Sequence, residues 1–392
     1  MTERTKQAGR QAVQPLAQTR QLKILHLIVT LGHANAQFNE HCLPVRHERD
    51  ITICSFHPRT VDVPPEIGVF EGDGTVRGFV RALRRALASG PYDIVHAHAP
   101  GTAAALVLTS LLSRRSLWNG VLTVHNSRES FPLRNQALLV PLFAAFPAVV
   151  FCSKAAFASF PAPMRSLART LEVVPNGVDT ARVSRVVGGN EVRPTDRFRV
   201  VAVGRLIPRK DPVTLLAAFR AMCGPEDALC FVGDGVQRSD VLDRAAQDGL
   251  GDQVAVTGAV EREEVYRQIA ASSVFVSPSL GEGLPVAVLE AMACGLPVVL
   301  SDIPSHREIA ASVDFVPLVP PGDVRGFTEA IARVKAMSAD ERSAIGARCR
   351  GLVERRFSLE TMQQSYERVY RAVAARRRGR RHVLPMEGEV PS

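Results

Sequence analysis

SPSLGEGLPVAVLEAMACGLPVVLSD, residues 277–302, is the stretch that decides how this chain is read. It opens where the β-branched run SVFVSP (273–278) gives way to a glycine-bearing loop, and it closes on a second such run, PVVLS (297–301). Pro285 suits the first turn of a helix. That places Glu282 in the loop and Glu290 about five residues into the helix, roughly 7–8 Å along its axis at 1.5 Å per residue. Between the two acids lies a helix N-terminus with free amides and partial positive charge, a ready site for an anion.

Two carboxylates held apart in this way can accept hydrogen bonds from two separate hydroxyl-bearing groups. A molecule with hydroxyls at both ends and phosphates in the middle fits, and a nucleotide sugar is such a molecule. Spacing alone is equally compatible with Glu282 closing a loop and Glu290 lying on a helix surface. A second segment, VVAVGRLIPRKDPVTLLAAF (200–219), narrows the choice. Gly204 ends a strand, Arg205 and Lys210 flank a short loop, Asp211 can cap the next helix and Pro212 suits its first position. Two cations beyond a parallel strand would balance a diphosphate, each charge-assisted hydrogen bond contributing roughly 1.5–3 kcal/mol. Taken alone, the same loop also reads as a solvated basic turn.

Outward from these segments, strand-like runs alternate with helical ones. In the second half the strands are FRVVAVG (198–204), ALCFVG (228–233), QVAVTG (253–258) and the two runs quoted above. In the first half they are KILHLIV (23–29), DITICSF (50–56), YDIVHAH (92–98), GVLTVH (120–125), AVVFCS (148–153) and LEVVP (171–175). The runs are apolar rather than alternating, as parallel strands buried on both faces require. This is an α/β pattern with helices on both faces of each sheet, where ligands bind beyond the carboxyl ends of the strands. Arg182 to Arg197 reads as polar and structureless, an interdomain linker. Met362, Tyr366, Val369 and Val373 recur at helical spacing in a last helix from about Leu359 to Ala375, followed by an arginine cluster.

The chain has 392 residues, 46% hydrophobic and 22% charged, enough for two domains with separate cores. No apolar run reaches the roughly 18–20 residues of a membrane span; Ala137 to Phe151 is too short and is interrupted by Pro141 and Pro147. The first 21 residues lack the apolar centre of a secretion signal. Seven scattered cysteines without a CxxC pair fit reduced cytosolic thiols rather than a zinc site or a disulfide frame. A net charge of +9 favours anionic partners. Nucleic acid is a poor one, because the basic residues are dispersed and only 6% of residues are aromatic, leaving no stacking platform.

The two decisive segments resemble the signatures of retaining glycosyltransferases of family 4, which have the GT-B fold of two Rossmann-like domains facing a central cleft. That family carries two glutamates separated by seven residues, then a small-residue stretch ending Gly-x-Pro-Val; here these are Glu282, Glu290 and AMACGLPVV. Its GRL…K loop is matched by Arg205 and Lys210. VVPNGVD (173–179), FVGDG (231–235), VTG (256–258), LVPPGD (318–323) and FSLE (357–360) follow in order, so the likeness covers about residues 171–375. It implies a mobile arm at 1–21, an N-terminal acceptor-side domain at 22–185 and a linker at 186–197. A C-terminal donor domain would follow at 198–356, a helix crossing back to the N-terminal domain at 357–376 and a basic tail at 377–392.

The resemblance also implies roles. Arg205 and Lys210 would hold the donor diphosphate and stabilise the leaving group, Glu290 would accept from the ribose hydroxyls, and Glu282 would sit near the sugar beside the amides of Gly283 and Leu284. Gly204, Gly233 and Val260 would lie near the nucleotide. The reaction expected is hexosyl transfer from a UDP- or GDP-sugar to a glycan or glycolipid acceptor in polysaccharide or cell-envelope synthesis, at the cytoplasmic side. No cofactor is expected. No Asp-x-Asp metal motif is present, and side-chain cations and a helix terminus would take the place of a metal ion.

The first half departs from the family opening. The glycine-rich loop after the first strand, often GGAE, reads HANAQ (33–37) after Gly32. Gly32 could still let the backbone approach donor phosphate or acceptor, while the change points to altered acceptor choice. His125, after the strand GVLTVH, occupies the position where the family places a histidine close to the transferred sugar. His98 and Asn126 are acceptor-side candidates. His96 and His98 have a spacing a metal could use, but no acid or cysteine joins them. The helix VRGFVRALRRALASG (76–90), with the apolar stretch near Phe143 and Phe146, reads as a surface for an anionic membrane or as an ordinary helix packed on the sheet. A nucleotide-sugar epimerase of the same architecture and an inactive sugar-nucleotide-binding protein are the competing readings; the paired glutamates with the GRL…K loop favour transfer.

Overall fold

The computed structural model describes residues 21–381 apart from 34, 115–116 and 190–196, with side chains to 376. The expected N-terminal arm, most of the linker and most of the basic tail lie outside the described residues. The first sheet contains β1 (Lys23–Ile28), β2 (Asp50–Ser55), β3 (Gly68–Glu71), β4 (Ile94–Ala97), β5 (Gly120–Val124), β6 (Ala148–Phe151) and β7 (Leu171–Val173), in the order β3-β2-β1-β4-β5-β6-β7. The second contains β8 (Arg199–Val203), β9 (Ala228–Val232), β10 (Val254–Val256), β11 (Val274–Ser277), β12 (Val298–Ser301) and β13 (Leu318–Val319), in the order β10-β9-β8-β11-β12-β13. Every strand pair is parallel. In each sheet the order reverses beside its first strand, between β1 and β4 and between β8 and β11. Ligands bind at such switch points.

Two short strands escape a reading of sequence. β3 is a four-residue edge strand whose Val69 and Phe70 are only partly buried, and β13 has two residues. Neither carries a long enough apolar run to register. The stretch expected to be structureless from Arg182 is also corrected: Thr180–Val187 is a helix. Asp179 caps it by accepting from the Arg182 amide at 2.8 Å, and Val183 anchors it in the core. Its cap and its apolar residues outweigh a polar composition that suggested a linker.

The final helix, Leu359–Arg381, lies on the first sheet rather than the second. Met362, Tyr366, Val369, Tyr370 and Val373 pack with Ile24, Ile51 and Val121. A separate buried cluster continues across the interface between the domains, from Leu122 and Phe151 to Leu284, Val288 and Leu289. All seven cysteines are free thiols. The surface suggested for a membrane is corrected as well. The apolar side of the helix Val76–Ala88, with Phe79, Ala82 and Leu83, is buried in the core, and so are Phe143 and Phe146. Thr75 caps that helix through the Gly78 amide at 3.0 Å, and its arginines meet water together with Val76 and Ala88.

Candidate active site

The two switch points face each other. From β8, the backbone turns at Gly204 into a short 3-10 turn, Pro208–Lys210, and Asp211 caps the following helix through the Thr214 amide. From β11, the chain passes Ser277 and Ser279 to Glu282 and enters the helix Val286–Ala293, with Pro285 at its N-cap. Lys210 Nζ and Glu282 Oε1 meet at 2.5 Å. Burial pushes the Glu282 carboxyl upward, but the Lys210 charge and hydrogen bond, with a bond from Ser279, outweigh it and hold the group below its usual value. Arg205 is exposed beside this pair, and a hollow of about 30 Å³ is lined by Gly204, Arg205, Lys210 and Ser279. Gly233 has φ +145°, and a Cβ there would fall 2.1 Å from the Gly204 carbonyl oxygen, so the loops after β8 and β9 touch through bare backbone.

Glu290 lies one and a half turns into the helix and is 2% exposed. Arg262, from the helix Arg262–Ala270, places Nη2 2.6 Å from Glu290 Oε1 and 2.8 Å from Glu40 Oε1. Glu290 is thus ion-paired to Arg262, with Tyr266 also bonding to it, while Glu40 Oε2 is buried without a hydrogen-bond partner. Burial raises both carboxyls against the pull of Arg262, Glu40 to about 7. Arg262 and Glu40 were not singled out from sequence. Arg262 lies two residues past Val260 with no motif around it, and Glu40 sits in the departed loop region. Val260 itself is half-buried at the start of that segment.

Gly283, Leu284 and Glu308 join the domains. Ser153 Oγ donates to the Gly283 carbonyl at 2.8 Å and Asn176 Nδ2 to that of Leu284 at 2.8 Å. The Glu308 carboxylate accepts from the amides of Lys154 and Ala155, and Arg182 pairs with Glu263 at 2.7 Å. Arg209 Nη1 reaches Asn126 Oδ1 at 3.5 Å. Between the domains a cavity of about 160 Å³ is lined by Gln37, Glu40, His41, His125, Asn126 and Asn176, with Ala36, Gly177, Val286 and Met362. Gly32 lies earlier, at the turn where its carbonyl accepts from Asn35, and does not line this cavity.

His98 is corrected. It is 7% exposed, and neither it nor His96 faces the cleft. His26 Nδ1 lies 2.9 Å from His98 Nε2, and His98 Nδ1 lies 3.0 Å from His125 Nε2, a chain running from the core to the cavity wall. Burial lowers all three, His26 to about 3 and His125 to about 4, so the rings are neutral. A neutral imidazole has one donor and one acceptor, so both links point the same way. His26 Nε2 is buried without a partner. A bare lone pair there costs less than an orphaned N–H, so protons sit on Nδ1 of each ring. His125 is thereby left with its Nδ1–H outside the chain. His26, His96 and His98 have ring nitrogens within 4.8 Å of one another, a grouping the sequence did not show. His96 is already bonded on both nitrogens, to Tyr370 and Thr123, and Arg49 is the charged group acting on His26. A hydrogen-bonded cluster facing a cation does not suit a divalent ion.

Two facing parallel sheets with a cationic loop and two acids at the second switch point define a GT-B glycosyltransferase. The family model for glycosyl transferases group 1 matches residues 189–350, and that for glycosyltransferase family 4 matches residues 27–182. A 2-deoxystreptamine N-acetyl-D-glucosaminyltransferase of Streptomyces fradiae is 31% identical over 73% of this chain and 72% of its own length. The chain belongs to the family 4 glycosyltransferases. It is 29% identical, over 42% of its length, to an Escherichia coli α-1,3-galactosyltransferase acting from UDP-Gal on α-D-GlcNAc-diphosphoundecaprenol; the match covers 45% of that protein. A teichuronic acid biosynthesis glycosyltransferase of Bacillus subtilis is 28% identical over 70% of this chain and 74% of its own. Among solved structures, Anabaena HepE in complex with UDP and glucose superposes with a TM-score of 0.72 at 20% identity, over 90% of this chain and all of that one, which shows the shared fold.

Proposed function

We propose that the protein transfers a sugar from a UDP- or GDP-sugar to a glycan or lipid-linked acceptor, with retention at the anomeric carbon and without a metal ion, at the cytoplasmic face of a membrane. The observation that supports this best is the ion pair of Lys210 with Glu282 just before the helix that carries Glu290, with Arg205 and Lys210 lining one hollow. Arg205 and Lys210 hold the diphosphate beside the main chain of Gly283 and Leu284. Glu290, on the helix that follows, takes the ribose hydroxyls. The bond between the anomeric carbon and phosphate oxygen breaks, the acceptor hydroxyl bonds to that carbon from the same face, and its proton goes to the departing phosphate. Negative charge grows on that phosphate as the bond lengthens, so the two cations act most strongly in the transition state. His125 and Asn126 meet the sugar and acceptor from the opposite wall.

The cavities of about 160 and 30 Å³ fall below the roughly 300–1,000 Å³ of ordinary ligand pockets. Donor entry therefore parts the domains at Arg182–Glu263 and Glu308–Lys154. A lipid-linked acceptor agrees with the undecaprenol-linked substrate named for the E. coli relative, and among the described residues no helix is long and apolar enough to cross a membrane. Incubation with a panel of labelled UDP- and GDP-sugars, with product anomers read by NMR, tests the reading. Transfer or slow hydrolysis with retained configuration is expected. Formation of an isomeric nucleotide sugar, an inverted product or binding without turnover overturns it.

A further inference from the structure

Two helices of the N-terminal domain, Pro100–Leu112 and Leu133–Ala145, pack side by side on the sheet. Their inner faces supply Ala103, Leu106, Leu139, Leu142 and Phe143 to the core. Their outer faces are apolar as well: Leu133 is 82% exposed, Leu111 70% and Leu112 66%, joined by Leu108, Leu138 and Val140. Half of the large exposed apolar side chains among the described residues, six of twelve, lie on these two helices. A surface helix of a globular domain keeps its outer face polar, and exposed apolar side chains gathered on two packed helices mark an interaction site.

Charge decides what covers it. From Ile94 to Leu171 the only acid is Glu129, against seven basic residues: Arg114, Arg115, Arg128, Arg134, Lys154, Arg165 and Arg169. Arg134 adjoins Leu133 on the exposed face and Arg114 follows directly on the Leu111–Leu112 end. Exposed leucines flanked by Arg114 and Arg134, in a stretch with a single acid, match an anionic lipid surface, where apolar side chains enter the headgroup boundary and the cations meet phosphate. Position agrees. Each helix starts at the carboxyl end of its strand, β4 or β5, so Leu133 lies near the loop that carries His125 and Asn126, and Leu112 lies at the far end.

We propose that this two-helix face, centred on Leu111, Leu112 and Leu133, docks the protein on an anionic bilayer with the cleft mouth at the membrane. It rests on the lipid-linked acceptor reading for its purpose, but binding is measured with neither donor nor acceptor present. A sugar chain attached to a lipid in that bilayer then enters beside His125, while its lipid stays below Leu133.

The test is flotation of the full chain with vesicles of phosphatidylcholine alone and with one-third phosphatidylglycerol, comparing wild type with Leu111→Glu/Leu112→Glu/Leu133→Glu. All three side chains are solvent-exposed, so the melting temperature should hold. Wild type is expected to float with the anionic vesicles and not the neutral ones, and the triple variant to lose at least tenfold in binding while keeping transfer to a short water-soluble acceptor. Arg77→Glu/Arg81→Glu, on the other basic helix, is expected to float like wild type. No flotation of wild type, or flotation unchanged in the triple variant, overturns the proposal. So does light scattering that shows a vesicle-free dimer broken by the triple variant, because the face then belongs to a second copy. Flotation with no transfer from any donor sinks the functional reading and leaves this one standing.

Discussion

Gly283 of the C-terminal domain abuts the backbone of His125 of the N-terminal domain: a Cβ at 283 would fall 2.0 Å from the His125 carbonyl oxygen. The carbonyl belongs to the main chain just beyond β5 and cannot swing aside as a side chain would. The close approach of the two domains at this point depends on the missing side chain. Gly283→Ala should therefore hold the domains apart, lowering kcat/KM by about 10²-fold or more, in line with misplaced catalytic groups, and enlarging the radius of gyration in X-ray scattering. A variant with wild-type turnover and scattering would show that the contact is not needed.

Lys210→Ala and Glu290→Ala should each reduce turnover by roughly 10²-fold or more, as for other lost transition-state electrostatics. The two differ in a second respect. Lys210→Ala strands the buried Glu282 carboxylate, a change that costs about 3–5 kcal/mol when a buried pair loses one partner, so its melting temperature should fall. Glu290→Ala removes one of two acids competing for Arg262 and should leave stability nearly intact. Near-normal activity in both variants refutes the site.

The protein should unfold in mild acid. Burial lowers His26, His41, His96, His98 and His125, so each binds a proton in the unfolded chain at pH 6 but not in the folded one. For groups with depressed folded values, stability rises with pH up to the unfolded value near 6.5 and falls as pH drops below it. Each contributes roughly 1.4 kcal/mol per pH unit in that window. Denaturant melts between pH 8 and 5 should show a steep loss below pH 6.5; a flat profile contradicts a neutral buried cluster. Glu40 acts in the opposite sense. Raised to about 7 by burial, it keeps its proton in the fold and favours the native state as pH falls from 7. Glu40→Gln should deepen the acid loss.

The His98 ring hydrogen-bonds to His26 and His125 and acts through His125 as a positioning residue. His98→Leu removes the bond that keeps the His125 proton on Nδ1, and should lower kcat several-fold with little change in donor KM. His98→Gln, which can accept and donate, should recover part of it. Equal loss in both variants, tracking their melting temperatures, would reduce His98 to packing.

Exchanging residues 33–37 for a glycine-rich loop should change acceptor use more than donor affinity. Gln37 and His125 line the same cleft cavity, which neither Lys210 nor Glu282 lines. Donor binding measured by calorimetry on both proteins decides it: collapse of donor affinity would assign the loop to the donor site.

Most strands of both sheets were legible because parallel strands buried on both faces are written as unbroken apolar runs, from KILHLIV to PVVLS. Glu282, Glu290, Arg205 and Lys210 were legible for a related reason: each lies in a short segment next to a strand end, where local spacing nearly fixes position. The helix Thr180–Val187 was hidden by a polar composition, although its cap at Asp179 was there to be read.

Sequence by itself determined the α/β architecture, the two-domain division and the residues at the second switch point, because strand period, caps and helix starts act over a few neighbours. Only tertiary structure decided that Arg262 stands between Glu40 and Glu290, 222 and 28 positions away along the chain, that His26, His98 and His125 form a single chain, and that six large apolar side chains are exposed on the helices Pro100–Leu112 and Leu133–Ala145. Those outcomes depend on which faces two separate sheets bury against each other and against the final helix, and side chains distant in sequence acquire that information only when the domains close.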